Sequence, residues 1–208
     1  MRFPSLTVVV PVKHTGRGKS RLQLPDDRRA ALAAAFAQDT VSAIARVCAV
    51  LVVAEDVRDL DPVAGLAGVT VRRTEAVGLN PAIRDGLDQL DPALPAAVLP
   101  ADLPGLDPAD LAAALDLGTG RGFAVVPDRD TIGTTLLMAD RADRVDPHYG
   151  GASFRRHQEA GAIPLPVGAR SSLRRDVDLP GDLDELRAST GTLGPATAAL
   201  LAGWARSA

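Results

Sequence analysis

The chain has 208 residues and a net charge of −3, with 46% of its residues hydrophobic and 24% charged. That length suits one globular domain burying roughly 70% of its unfolded surface, and the slight negative charge argues against a surface built for DNA or another polyanion. The lone cysteine, Cys48, excludes an internal disulfide framework and fits a reducing compartment.

No stretch approaches the roughly 18 continuous apolar residues of a membrane span. The opening MRFPSLTVVVPVK lacks the extended apolar region and cleavage site of a signal peptide. The expectation is a single cytoplasmic domain over residues 1–208, with no membrane and no nucleic-acid partner.

In chain order, Leu6 to Val12 is a short apolar run that enters a basic, glycine-containing loop, as a buried parallel strand does. From Asp26 to about Val47, Leu32, Phe36, Ile44 and Val47 recur at helical spacing, behind two acids at the positive end of the helix dipole. Cys48 sits in an apolar stretch and reads as a buried small hydrophobe. Ala49 to Val53 and Val69 to Val71 are the next strands. Asn80-Pro81 predicts a helix start, with Asn as the cap and Pro in the first turn, running to about Leu90.

Ala96 to Leu99 is another buried strand, closed by PADLPG. Asp107-Pro108 opens a helix that Gly118 ends. Strands near Phe123–Val126 and Thr134–Met138 follow, then a helix over Ser153–Ala160, a strand near Ile163–Val167, a helix after Pro180 and a last one over Pro195–Ala205. Strands alternating with helices predict an α/β fold, a mainly parallel sheet covered on both faces in three layers.

Five segments carry candidate chemistry. VKHTGRGKSRL places Lys13, Arg17, Lys19 and Arg21 beside Gly16 and Gly18, directly after the first strand, where open parallel sheets bind ligands. Glycines admit close backbone approach and the cations suit an oligophosphate. A Walker loop would need Gly at Lys13, and a dinucleotide fingerprint would need Gly or Ala at Arg21, so neither fits. A solvated basic turn is the bland alternative.

Asp102 follows a buried strand, where a carboxylate is costly unless paired or bound to metal. It could hold magnesium, which takes one or two protein carboxylates, or cap a turn or pair with a loop cation. In RRDVDLPGDL, Asp176 and Asp178 alternate on one side of an extended segment. Either could share a metal with Asp102, and sequence does not choose between them. Asp182 and Asp184 read as first-turn helix acids. TIGTT at 131–135 and HYGGAS at 148–153 are small and polar, and Ser153 reads as an N-cap, an anion contact, or both. His14, His148 and His157 show no ligand spacing and read as surface or structural.

Taken together, VVVPVKHTGRGKSRL (8–22), GLNPAIRDGL (78–87), LPADLPGL (99–106), IGTTLL (132–137), HYGGASFRRH (148–157) and RRDVDLPGDL (174–183) resemble the phosphoenolpyruvate/2-phospho-L-lactate guanylyltransferases of coenzyme F420 biosynthesis. That family belongs to the glycosyltransferase-A-like nucleotidyltransferases, with the molybdenum-cofactor guanylyltransferases among its relatives. The resemblance implies transfer of GMP from GTP to phosphoenolpyruvate or 2-phospho-L-lactate, a phosphorylated three-carbon acid, with Mg2+ and release of pyrophosphate.

It further implies that Lys13, Gly18, Lys19 and Arg21 hold the GTP phosphates, with Lys13 and Lys19 acting in catalysis. Gly78 and Asn80 would lie near the nucleotide, and Asp102 with Asp176 or Asp178 would bind the metal. Thr135, Gly150 and Ser153 would hold the acceptor. The chain departs from the pattern at Ala152, where an acidic residue is expected. Oligomeric state stays open, a homodimer included. The rival readings are a molybdenum-cofactor or sugar-phosphate nucleotidyltransferase, against which the absence of an LAGG-like opening counts, and a non-catalytic nucleotide-binding domain.

Overall fold

The computed structural model describes residues 2–12, 24–178, 180–188 and 193–206. β1 (Phe3–Val12) leads to α1 (Asp26–Ala45), β2 (Cys48–Ala54), β3 (Val69–Arg73), α2 (Leu79–Leu87), β4 (Ala96–Val98) and α3 (Pro108–Gly118). β5 (Phe123–Pro127), β6 (Thr134–Ala139), α4 (Ser153–Glu159), β7 (Ile163–Pro164), α5 (Pro180–Ala188) and α6 (Pro195–Arg206) complete it, with short 3-10 turns at Val57–Asp59, Ala142–Arg144 and Ser172–Arg174.

One seven-stranded sheet has the order β3-β2-β1-β4-β6-β5-β7. β1 pairs in parallel with both β2 and β4, while β6 runs antiparallel to β4 and to β5. The expected mainly parallel sheet therefore contains one reversed strand. Residues 128–133 are too short for the crossover that parallel neighbours need, so β5 and β6 form a hairpin. Asp128 closes that turn, its carboxylate accepting from the amides of Ile132 (2.9 Å) and Gly133 (2.6 Å).

Side-chain alternation splits the core in two. Val8 and Val10 of β1 pack with Val41 and Ile44 of α1 and Leu111 and Leu115 of α3, whereas Val9 packs with Ile83 and Leu87 of α2. Helices thus cover both faces of the sheet. A third cluster joins Leu32 and Phe36 of α1 to Val177, Leu183 and Leu186 of α5, and Leu201 of α6. Burying the apolar sides of these strands and helices supplies the main driving force for the arrangement.

The expected strand over Ile163–Val167 pairs only at Ile163–Pro164. Pro164 and Pro166 have no amide to donate, which confines the segment to a short edge strand. Gly118 is the last residue of α3, as expected, but it is not left-handed. It is there because a Cβ would collide with the Met138 thioether. Among the described residues no helix is long and apolar enough to cross a membrane.

The chain leaves β1 through α1 to β2 on one side, while β4 lies on the other. The C-terminal ends of β1 and β4 therefore flank the point where the sheet's winding reverses, the usual ligand crevice of an open α/β sheet.

Candidate active site

Asp102 stands four residues beyond the end of β4 in a loop that α1 holds in place. The Leu103 amide donates to Thr40 Oγ1 of α1 at 3.1 Å, and both groups are buried. On the other side the Val177 amide donates to the Asp102 carbonyl at 3.0 Å, which draws the late acidic segment alongside. Val177 drives its side chain into the cluster beneath α1, α5 and α6. Its neighbours in an extended segment must then point the other way.

The outcome is that one carboxylate oxygen each from Asp102, Asp176 and Asp178 lies within 4.8 Å of the other two. The structure brings both Asp176 and Asp178, the two aspartates left open in the sequence, to Asp102. Three carboxylates form a hard, all-oxygen donor set, which suits a divalent cation such as Mg2+ or Mn2+ and does not suit a softer metal. The triad can hold such an ion.

Its supports are also visible. The Asp178 amide donates to Asp182 Oδ2 at 3.0 Å, and Asp182 pairs with Arg129 of the β5–β6 loop at 2.8 Å. Asp39 of α1, which is buried, accepts from the amides of Ala196 (2.9 Å) and Thr197 (2.8 Å), neutralising the positive end of α6. The Gly194 amide meets the Pro104 carbonyl at 2.7 Å, tying the same helix to the loop after Asp102. Neither Asp39 nor Thr40 stands out in the sequence, since both are mid-helix polar residues whose partners are distant in the chain.

On the β2–β3 side, Gly78 opens α2 with φ 102°, a conformation that favours glycine, and its amide donates to Glu55 Oε1 at 2.9 Å. Asn80 corrects the expected cap. The cap position is Gly78, with no side-chain cap bond, and Asn80 lies in the first turn. Its carboxamide accepts from the Tyr149 amide (2.8 Å) and donates to the Tyr149 carbonyl (3.0 Å). Lys13, Arg17, Gly18, Lys19 and Arg21 lie outside the described residues.

On the β6–α4 side, Thr135 is buried in β6, with Oγ1 3.4 to 3.5 Å from the carbonyls of Val126 and Pro127. Gly150 is exposed with φ 121°. Ser153 is buried and is the first residue of α4, so it is not the N-cap; that position is Ala152, left-handed at φ 54° and without a side-chain cap bond. His157 is fully buried and structural. Its Nε2 accepts from the His148 amide at 2.8 Å, so Nδ1 carries the proton and donates to Thr134 Oγ1 at 2.9 Å. Burial holds its pKa down at about 4.

Tyr149 links these parts. Its hydroxyl donates to the Val98 carbonyl at the end of β4 (3.2 Å), and its ring meets His157 edge-on at 5.1 Å. Burial, and then the nearby Asp102 charge, push its phenol well above the usual range. It is the chain's one tyrosine, and its backbone contact with Asn80 has no sequence signature.

The family described as "Guanylyl transferase CofC like" matches residues 6–187. The chain belongs to the CofC-like guanylyl transferases. A curated relative from Streptomyces coelicolor, named phosphoenolpyruvate guanylyltransferase, is 42% identical over 94% of this chain and 95% of its own. One of the same name from Salinispora arenicola is 45% identical over 93% and 92%.

Among solved structures, one from Desulfovibrio desulfuricans G20 named for nucleotide-diphospho-sugar transfer superposes with a TM-score of 0.68 at 18% identity, covering 96% of this chain and 94% of that one. A Mycobacterium tuberculosis H37Rv protein solved with manganese gives 0.60 at 22% identity, over 89% and 98%. These last two establish the fold, that of the nucleotide-diphospho-sugar transferases. As a CofC-like guanylyl transferase, the chain carries its acidic triad at the sheet's winding reversal, the usual ligand crevice of an open α/β sheet.

Proposed function

We propose that this CofC-like guanylyl transferase moves GMP from GTP to phosphoenolpyruvate, releasing pyrophosphate and giving enolpyruvyl-2-diphospho-5'-guanosine. The single observation that carries the reading is the Asp102–Asp176–Asp178 triad at the β1/β4 crevice, in a chain about 40% identical to enzymes of that name over nearly its whole length. The hard, all-oxygen donor set supports a divalent cation here, and we take Mg2+ as the cofactor. When bound, that ion would polarise the α-phosphate and neutralise charge that grows in the transition state.

The chain's own groups do the rest. Asp102, Asp176 and Asp178 would hold the ion. Gly78, presented in a left-handed turn by Glu55, would offer a wall without a side chain to the nucleotide. Thr135, Gly150 and Ser153 would frame the acceptor. Lys13 and Lys19, with Gly18 and Arg21, are assigned to the GTP phosphates, the two lysines countering charge on the leaving pyrophosphate. No strong general base is required, because a phosphate monoester with a second pKa near 6 is already mostly dianionic at neutral pH. His157, buried and low in pKa, is not called on.

The test is pyrophosphate release from the purified protein with GTP and Mg2+. Phosphoenolpyruvate, 2-phospho-L-lactate and 3-phosphoglycerate are offered in turn, and ATP serves as the nucleotide control. Release with phosphoenolpyruvate and GTP supports the reading. Release only with 2-phospho-L-lactate would move the acceptor, and release with none would remove the proposal.

A further inference from the structure

A cavity of about 910 Å3 opens beside the loop that follows Asp102, between α1, the start of α3, the turn at Ser172–Arg174 and the start of α6. Asp102, Asp176 and Asp178 do not line it, and neither do the residues assigned to the nucleotide base side or to the acceptor. It is a second concavity, separate from the metal triad, and its volume falls in the range of small-molecule sites, roughly 300 to 1,000 Å3.

Three arginines line this cavity: Arg46 just past the end of α1, and Arg170 and Arg175 on either side of the Ser172–Arg174 turn. Among the described residues none of their side chains has an ion pair or a hydrogen bond, and Arg175 Nε is buried without an acceptor. Elsewhere Arg58, Arg84, Arg129 and Arg141 are each held by an acid. A guanidinium is always charged and carries five donors, so three of them around one hollow leave a large unmet demand for acceptors.

The acids of the same wall do not meet that demand. Asp39 accepts from the amides of Ala196 and Thr197, and Asp107 from the Ala109 amide at 2.8 Å. Asp110 accepts from the amide and the hydroxyl of Ser172, at 2.6 and 2.7 Å. Each carboxylate is thus committed to main chain or to Ser172, and the arginine donors are what remains for a ligand. Pro104, Leu106 and Leu186 add an apolar side to the wall.

We infer that this cavity binds a phosphorylated organic molecule of about nucleotide size, its phosphate on Arg46, Arg170 and Arg175 and its organic body against Pro104, Leu106 and Leu186. A lone carboxylate satisfies a single guanidinium fork, whereas a phosphate presents three charged oxygens that several arginines can share. The cavity's size and its apolar side suit the rest of such a molecule.

The experiment is calorimetric titration of the full-length chain with ADP and with adenosine, in EDTA buffer and in a K13Q/K19Q background. EDTA removes any metal from the triad, and the two substitutions remove the lysines assigned to the GTP phosphates, so binding at the catalytic crevice is suppressed. ADP should bind once per chain, at least about 10-fold more tightly than adenosine, and its affinity should fall as salt rises. Adding R46Q/R170Q should weaken ADP about 10-fold, the scale of two partly exposed charge contacts. Arg46 and Arg170 are exposed, so that change should leave the melting temperature unaltered, and R46K/R170K should recover part of the affinity.

Absence of ADP binding in the K13Q/K19Q background would overturn the inference. So would adenosine binding as tightly as ADP, or undiminished ADP affinity after R46Q/R170Q. The proposed transfer is read separately, from pyrophosphate release by wild type, and its failure would leave this site in place.

Discussion

The carboxamide of Asn80 and the main chain of Tyr149 exchange two hydrogen bonds, of 2.8 and 3.0 Å, across 69 residues of sequence. The pair fastens the first turn of α2, on the β2 side, to the segment that enters α4. Replacing Asn80 by Ala removes both bonds and leaves two partly buried backbone groups without partners. Asn80→Ala is expected to cost about 2 kcal/mol, or about 4 to 8 °C in Tm for a chain of this size. Asn80→Asp should be no better, because a carboxylate can accept from the Tyr149 amide but cannot donate to its carbonyl. Thermal denaturation followed by circular dichroism decides this, and an Asp variant as stable as wild type would show that the donor half is unimportant.

The acidic triad makes the sharpest catalytic prediction. Asp102→Asn, Asp176→Asn and Asp178→Asn should each reduce turnover by about 100-fold or more, because each removes an anionic oxygen from one ion site. Without metal these variants should fold as stably as wild type or more so, since three carboxylates within 4.8 Å repel one another. With Mg2+ at about 100 times its Kd, wild type should gain about 2.7 kcal/mol, and the variants should gain far less. Melting curves with and without Mg2+ read this directly. A full metal-dependent rise in Asp178→Asn would take Asp178 out of the site.

The alternation of strands and helices was legible because buried parallel strands are uninterrupted apolar runs, and Val8–Val10, Cys48–Val53 and Ala96–Val98 are of that kind. Asp107 capping Ala109 at 2.8 Å, with Pro108 in the first turn, was legible for the same local reason. Asp102 could be nominated from its place after a buried strand, and Asp176 and Asp178 from their alternation in an extended segment, yet their meeting could not. It depends on Val177 finding a core built by α1, α5 and α6 and on one bond to the Asp102 carbonyl. Asn80 was misread because an Asn before Pro is a good cap anywhere, and only Tyr149 makes it a clamp. Thr40 and Glu55 share that difficulty: the partner that gives each its place is brought there by the fold.

Two glycines with crowded surroundings should respond differently to a methyl group. At Gly86 a Cβ would lie 2.8 Å from Val9 Cγ1 and 3.0 Å from Val53 Cγ1. These are β-branched side chains on two central strands, with little rotamer freedom to yield. Gly86→Ala is expected to destabilise by about 1 to 3 kcal/mol despite the better helix propensity of Ala. It should also raise KM for GTP, because α2 carries Gly78 and Asn80. At Gly118 the obstacle is the flexible thioether of Met138, so Gly118→Ala should cost less. Chemical denaturation of both variants tests the order, and a milder effect at Gly86 would mean that α2 can lift from the sheet.

His157 gives the pH dependence of stability. In the folded chain its pKa is lowered from 6.5 to about 4, first by burial and then by the charges of His148 and Arg156, with Asp146 acting in the opposite sense. Its ring is already committed as neutral, with Nε2 accepting from the His148 amide and Nδ1 donating to Thr134. Between those two pKa values the unfolded chain binds a proton that the folded chain refuses, so stability falls as pH falls. The contribution is fully present above about pH 6.5 and is lost progressively toward pH 4. Wild-type Tm should therefore drop from pH 7 to pH 5. His157→Gln keeps one donor and one acceptor but has no proton to bind. It should be less stable at pH 7, by about 1 to 3 kcal/mol for the imperfectly replaced bonds, and should lose less of its stability between pH 7 and pH 5. Parallel slopes for the two proteins would mean that other groups set the acid sensitivity of this fold.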